Sequence, residues 1–225
     1  MQRRRMLTLA GATVLLTGSA RAAPSSDADA ASGVRSALER GAVAAVGLLG
    51  RPDGFLGNPK VRISLPGFLN DAATLLKFTG QQHRVDELVT AMNRAAEAAV
   101  PEAKALLVSA VKNIGVGDAR RIGSGGEDSV TRFFADKTRV PLGERFLPIV
   151  KKQTERVDLA ARFNAVAGKA SELGLVKGDD ANIERYVTRK ALDGLYLMIG
   201  DEEKKIRSDP VGTGSALLAR VFGKS

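Results

Sequence analysis

The segment YVTRKALDGLYLMIGDEEKKIR, residues 186–207, decides the fold class. Set at 100° per residue, it is apolar almost all the way round its middle, through Val187, Ala191, Leu192, Leu195, Tyr196, Leu197, Met198 and Ile199. A helix with so narrow a wet face belongs inside a bundle of other helices. Its polar gap holds Arg189 and Asp193, one turn apart. Its C-terminal end differs: Asp201 with Lys205 and Glu203 with Arg207 are favourable pairs four residues apart, and Lys204, Lys205 and Arg207 suit the negative end of the helix dipole. A carboxylate beside a bundle's central helix needs a partner, because desolvating a lone charge costs several kcal/mol. Asp193 is therefore read first as half of a structural ion pair, with Arg189 as the nearest partner and Lys190 as a weaker one, ahead of a catalytic acid.

Working outward, the remaining pattern is also helical. From about Ser32, Val34, Leu38, Ala42, Ala45, Leu48 and Leu49 recur at three- and four-residue spacing, and Gly41 and Gly47 suggest close approach to a neighbour. The turn-rich stretch RPDGFLGNPK reads as a loop. It leads into KVRISLP, where Val61, Ile63 and Leu65 alternate with polar residues until Pro66. One short strand makes no sheet, so it is expected to be an extended arm laid on helices. A helix is expected over residues 67–78, then a long one through Val85, Leu88, Met92, Ala96, Val100, Ala103 and Leu107, kinked at a solvent-facing Pro101. Further helices fit residues 116–122 (capped by Asp118 or a neighbour), 128–137, 140–153 with a bend at Pro148, and 155–169. Asp179, Asp180 or Asn182 is suited to cap the helix that carries residues 186–207, and Leu217, Leu218, Val221 and Phe222 make a last amphipathic turn. The expected fold is all-α, a multi-helix bundle of roughly seven to nine helices around a central C-terminal helix, with one short extended arm.

The N-terminus reads as an address. MQRRRMLTLAGATVLLTGSARA has Arg3, Arg4 and Arg5, an apolar run too short to span a bilayer, and small residues up to Ala22. This is a signal peptide over residues 1–22, for the general secretory or the twin-arginine route. A disordered leader over 23–31 and a single helical domain over 32–225 follow. Cleavage takes the formal charge from +9 to +5 by removing Arg3, Arg4, Arg5 and Arg21. Localisation is thus expected in the bacterial periplasm or outside the cell. Nucleic acid is excluded as a partner, since an exported domain with 4% aromatic residues and no Trp lacks stacking platforms. The absence of cysteine means no disulfide, and no later run is long enough for a transmembrane segment.

Chemistry-bearing motifs are few. His83 is the one histidine and sits at a helix start, which leaves no histidine metal site and no cofactor signature. GSGGEDS lacks the Lys of a phosphate-binding loop and carries Glu127 and Asp128 where phosphate would sit. Residues 132–156 hold Arg132, Lys137, Arg139, Arg145, Lys151, Lys152 and Arg156 against three acids, which suits an anionic envelope component but also a solvated helix face.

With those residues in view, the chain resembles a bacterial exported family known as domain of unknown function 4197. The matching blocks are DGFLGNPKVRISLP, LVTAMNRAAEAAVPEAK, ERFLPIVKK, YVTRKALDGLY and EEKKIRSDP, in that order along nearly the whole exported domain. Arg189 departs from the glutamine of the family's pattern, so Arg189 with Asp193 does not count as a family device. The resemblance implies a mostly helical periplasmic protein and supplies no catalytic residues. Within the blocks, Asn93 lies at the edge of an apolar stripe, where a buried amide needs partners such as a neighbouring loop, while Arg94 and Glu97 face outward. Asn93, Arg94, Glu97, Arg145 and Asp193 are the candidate binding residues. The leading expectation is a non-enzymatic binder of an envelope lipid, glycan or protein. The alternatives are a hydrolase using carboxylates such as Glu97 and Asp193, and an envelope scaffold or assembly factor.

Overall fold

In a computed structural model the chain is described over residues 27–69, 74, 78–126, 129–172 and 181–209. Every regular element among these residues is helical. Helix α1 (Asp27–Leu49) begins earlier than Ser32: Ala28, Ala30 and Ala31 are strong helix formers, and Ala31 is only 2% exposed against the core. Residues 27–31 are therefore part of the bundle and not of a disordered leader, while residues 23–26 and the signal-like segment lie outside the described residues. Gly41 does meet a neighbour, its Cβ position lying 3.6 Å from the Ile199 carbonyl oxygen, whereas Gly47 faces open space.

After a turn-rich loop and the extended arm comes a short 3-10 turn, Gly67–Leu69; most of the helix expected over 67–78 lies outside the described residues. Helix α2 (Gln82–Ala99) passes through a 3-10 turn, Val100–Glu102, into α3 (Ala103–Lys112). The kink expected at Pro101 is this turn, with the proline exposed and the buried stripe Met92, Ala96, Ala99, Val100, Ala103, Leu107 continuous on the far side. Arg35 of α1 donates to the Ile114 carbonyl at 3.0 and 2.7 Å, tying α1 to the end of α3. Helix α4 (Val116–Ser124) follows. Gly115 is its N-cap, and Asp118 reaches back to the Gly115 N–H from inside the first turn instead of capping from outside.

Helix α5 (Ser129–Thr154) corrects the sequence reading, which divided it in two: it runs unbroken through Pro141 and Pro148. Each proline leaves one carbonyl, four residues earlier, without its helical donor. Pro148 is exposed, and the core side of α5 carries an uninterrupted row of buried residues every fourth position, Val130, Phe134, Thr138, Leu142, Phe146, Val150 and Thr154. Packing of that row outweighs the lost hydrogen bonds. Helix α6 (Asp158–Glu172) starts three residues later than expected, and residues 173–180 lie outside the described set. Asn182 caps α7 (Ile183–Ser208), its side-chain oxygen accepting from the Arg185 N–H at 2.9 Å. The amphipathic turn expected at 217–222 lies outside the described residues.

Helix α7 packs on α5, α1 and α2, and through its first turn on α6. Ile183, Val187, Ala191, Leu195 and Ile199, again every fourth residue, are fully buried. Two glycines let its neighbours come close. A Cβ at Gly194 would lie 2.9 Å from the Phe55 ring, and one at Gly200 would lie 2.9 Å from Thr131 Oγ1 of α5.

Candidate functional site

The five residues singled out from sequence fall into separate places. Asn93, Arg94 and Glu97 stand together on α2, where they hold the loop and the arm. The Asn93 side chain accepts from the Ile63 N–H and donates to the Ile63 carbonyl, both at 2.8 Å, and is fully buried. Tyr186 of α7 donates to the Ser64 carbonyl at 2.9 Å, so the arm is pinned from two helices. Glu97 does not face outward: it is 5% exposed, and its Oε1 accepts from the Phe55 and Leu56 N–H groups at 3.0 and 3.1 Å. Arg94 bridges Glu97 Oε2 at 2.7 Å and Asp53 Oδ1 at 2.9 Å. The hydrogen bond that Arg94 donates to Glu97, with the charges of Glu97 and Asp53, pushes the Arg94 guanidinium further up from its already high pKa. Asp53 sits in the left-handed region at φ 63°, which aspartate tolerates better than most residues. These side chains seat the fully buried Phe55 ring against Gly194. Their bonds are directed inward at the protein's own backbone.

Asp193 and its surroundings are different. Its side chain is 43% exposed, and its principal partner is Arg139 of α5, Nη1 to Oδ1 at 2.9 Å; Arg189 stands at 3.9 Å from Oδ2. The charge sits in the segment because α7 turns that edge towards a groove, and a pair this wet contributes little to stability. Arg139 also lies over the Tyr196 ring, 5.1 Å from its centroid, and Arg189 over the Tyr186 ring at 5.4 Å. Arg139 is thus oriented by a ring and an ion pair, and Arg189 by a ring. Beneath them Tyr196 shares a 3.0 Å hydrogen bond with Thr138, and burial raises its phenol pKa above the ordinary 10.0.

The groove itself runs between α5 and α7 and has a volume of about 420 Å³. Arg139, Val140, Gly143, Glu144 and Leu147 line it from α5, and Arg185, Thr188, Arg189 and Leu192 from α7. Arg145, the fifth candidate, is exposed on α5 and is not part of this lining. A larger hollow of about 560 Å³ lies between α4 and the start of α5, but residues 127 and 128 beside it are outside the described set. Its Asp118 is also already paired with Arg121, which holds that carboxyl below the usual range.

Reading the sequence missed a third cluster. Glu184, in the first turn of α7, is buried; its two oxygens accept from Asn164 Nδ2 at 3.1 and 3.0 Å, while Asn164 Oδ1 accepts from the Ile183 N–H at 2.8 Å. It joins α6 to α7, and the helix N-terminus favours its charge. Among the described residues no group of three or more His, Cys, Asp or Glu is arranged to hold a metal ion, and no helix is long and apolar enough to cross a membrane.

The fold and the groove define an all-helical protein with an arginine-lined cleft between two of its longest helices. The chain belongs to the family described as protein of unknown function (DUF4197), whose model matches residues 24–223. No curated protein and no solved structure matches it.

Proposed function

We propose that this is an exported, non-catalytic binding protein of the bacterial envelope, which takes an anionic envelope component in the groove between α5 and α7. The observation that carries the reading is the convergence of Arg139, Arg185 and Arg189 on one concave, partly apolar surface, with two of the three guanidinium groups held in place by aromatic rings. Pre-oriented cations cost less to order on binding than free surface arginines do. Export rests on the signal-like residues 1–22, and delivery to the periplasm or the exterior follows from it. The same reading takes α7 as the axis of a seven-to-nine-helix bundle, which is supported by the buried row along it and by its packing on four other helices.

The hydrolase alternative needs two available carboxylates. Glu97 is a poor member of such a pair, because both of its oxygens are engaged by Phe55, Leu56 and Arg94. The test has two parts. Protein recovered from the cell envelope fraction should begin at Ala23 on N-terminal sequencing, and it should bind phosphatidylglycerol vesicles or anionic amphiphiles in a way that Arg189→Glu weakens at least tenfold. An uncleaved N-terminus in the cytoplasm, or binding indifferent to Arg189→Glu, would sink the proposal.

A further inference from the structure

We infer that the ligand of this groove is a single-chain amphiphile bearing one negative charge, a long-chain carboxylate whose head lies among the arginines and whose chain covers Val140, Leu147 and Leu192. The inference rests on reading the groove as a binding site and adds the chemical class of what fills it.

Charge comes first. Three arginines stand against Glu144 in the lining and Asp193 beside it, which leaves one positive charge. A monoanionic head neutralises that charge, whereas a dianion overcompensates it. Apolar surface comes second. Val140 is 73% exposed, unusual for a valine, and lies in the same groove as Leu147 and Leu192. Sugars and inorganic anions leave such a surface wet; an alkyl chain covers it and removes that apolar area from water. The groove's volume falls in the range of small-molecule sites, roughly 300–1,000 Å³.

One residue shows where room has been kept. Gly143 stands in the middle of α5, where glycine is a poorer helix former than alanine. A Cβ there would meet nothing within 4 Å, so close packing does not require the glycine, and its small size keeps the groove open.

The experiment is calorimetric titration of the purified protein with dodecanoate below its micellar concentration. Dodecyl maltoside supplies the same chain without charge, inorganic phosphate supplies charge without a chain, and phosphatidylglycerol vesicles present anionic heads on a bilayer. Dodecanoate is expected to bind at least tenfold more tightly than dodecyl maltoside or phosphate. Gly143→Leu, which fills the groove, should weaken dodecanoate at least tenfold while the melting temperature holds or rises, and Arg189→Glu, which reverses one charge of the lining, should weaken it as much. Equal binding of dodecyl maltoside, or undiminished binding by both variants, overturns the inference. If phosphate or the vesicles bind in an Arg189-dependent way and dodecanoate does not, the amphiphile inference falls and the anionic binder stands. If none of the four probes is held, both fall.

Discussion

Asn93 does with one side-chain amide what a neighbouring strand does with two backbone groups, satisfying the N–H and the C=O of Ile63 in an arm that has no sheet to join. Asn93→Ala leaves both buried groups without partners and should lower the unfolding free energy by about 2–4 kcal/mol in urea denaturation; a loss below about 1 kcal/mol would mean that the arm is held elsewhere. That Asn93 bonds a neighbouring segment was legible, because it borders an apolar stripe. The role of Glu97 was legible too but misread: it follows Asn93 by four residues, hence on the same flank of α2, and the pair faces the same polar edge. Asp193 was harder, since the wheel shows an apolar surround and cannot show that α7 opens onto a groove there. Tyr196 gives a prediction in pH. Burial raises its phenol above 10.0, so the folded state keeps a proton that the unfolded chain releases. That contribution is whole below about pH 10 and is lost as pH rises through the folded-state value. Tyr196→Phe should flatten that part of the alkaline fall in urea midpoint; parallel wild-type and variant curves from about pH 9 to 11 would contradict it.

From sequence, α5 was expected as two helices, 128–137 and 140–153, the second bent at Pro148. It runs unbroken because the cost of a helix-interior proline is local, whereas the row from Val130 to Thr154 gains from the whole length of α5 packing on its neighbours. The fourfold spacing of that row was present in the sequence and was the better guide. Pro148→Ala restores a donor for the Glu144 carbonyl on an exposed turn and should stabilise the protein by about 1–3 kcal/mol. An unchanged or lower stability would show that the bend itself is needed for packing. The opposite discrepancy occurs in α1, which begins at Asp27 inside the stretch read as a leader: small side chains give little hydrophobic signal, yet Ala31 fits against a packed core.

For the molecule as a whole, fold class followed from one segment, because an all-round apolar helix demands helical neighbours. The groove did not follow. Its lining comes from two helices about forty-five residues apart, and only their pairing, with Thr138 at Tyr196, Arg139 at Asp193 and Thr154 at Glu184, sets Gly143 and Val140 facing Thr188 and Leu192. The basic character of residues 132–156 was visible in advance, but only Arg139 of those cations lines the groove; Arg185 and Arg189 come from α7. Native mass spectrometry of the protein purified gently from the cells that make it tests the central claim most directly. The expected result is an added mass of a few hundred daltons on the wild-type chain that Gly143→Leu abolishes. A bare wild-type chain, or the same added mass on both, would contradict a ligand held between α5 and α7.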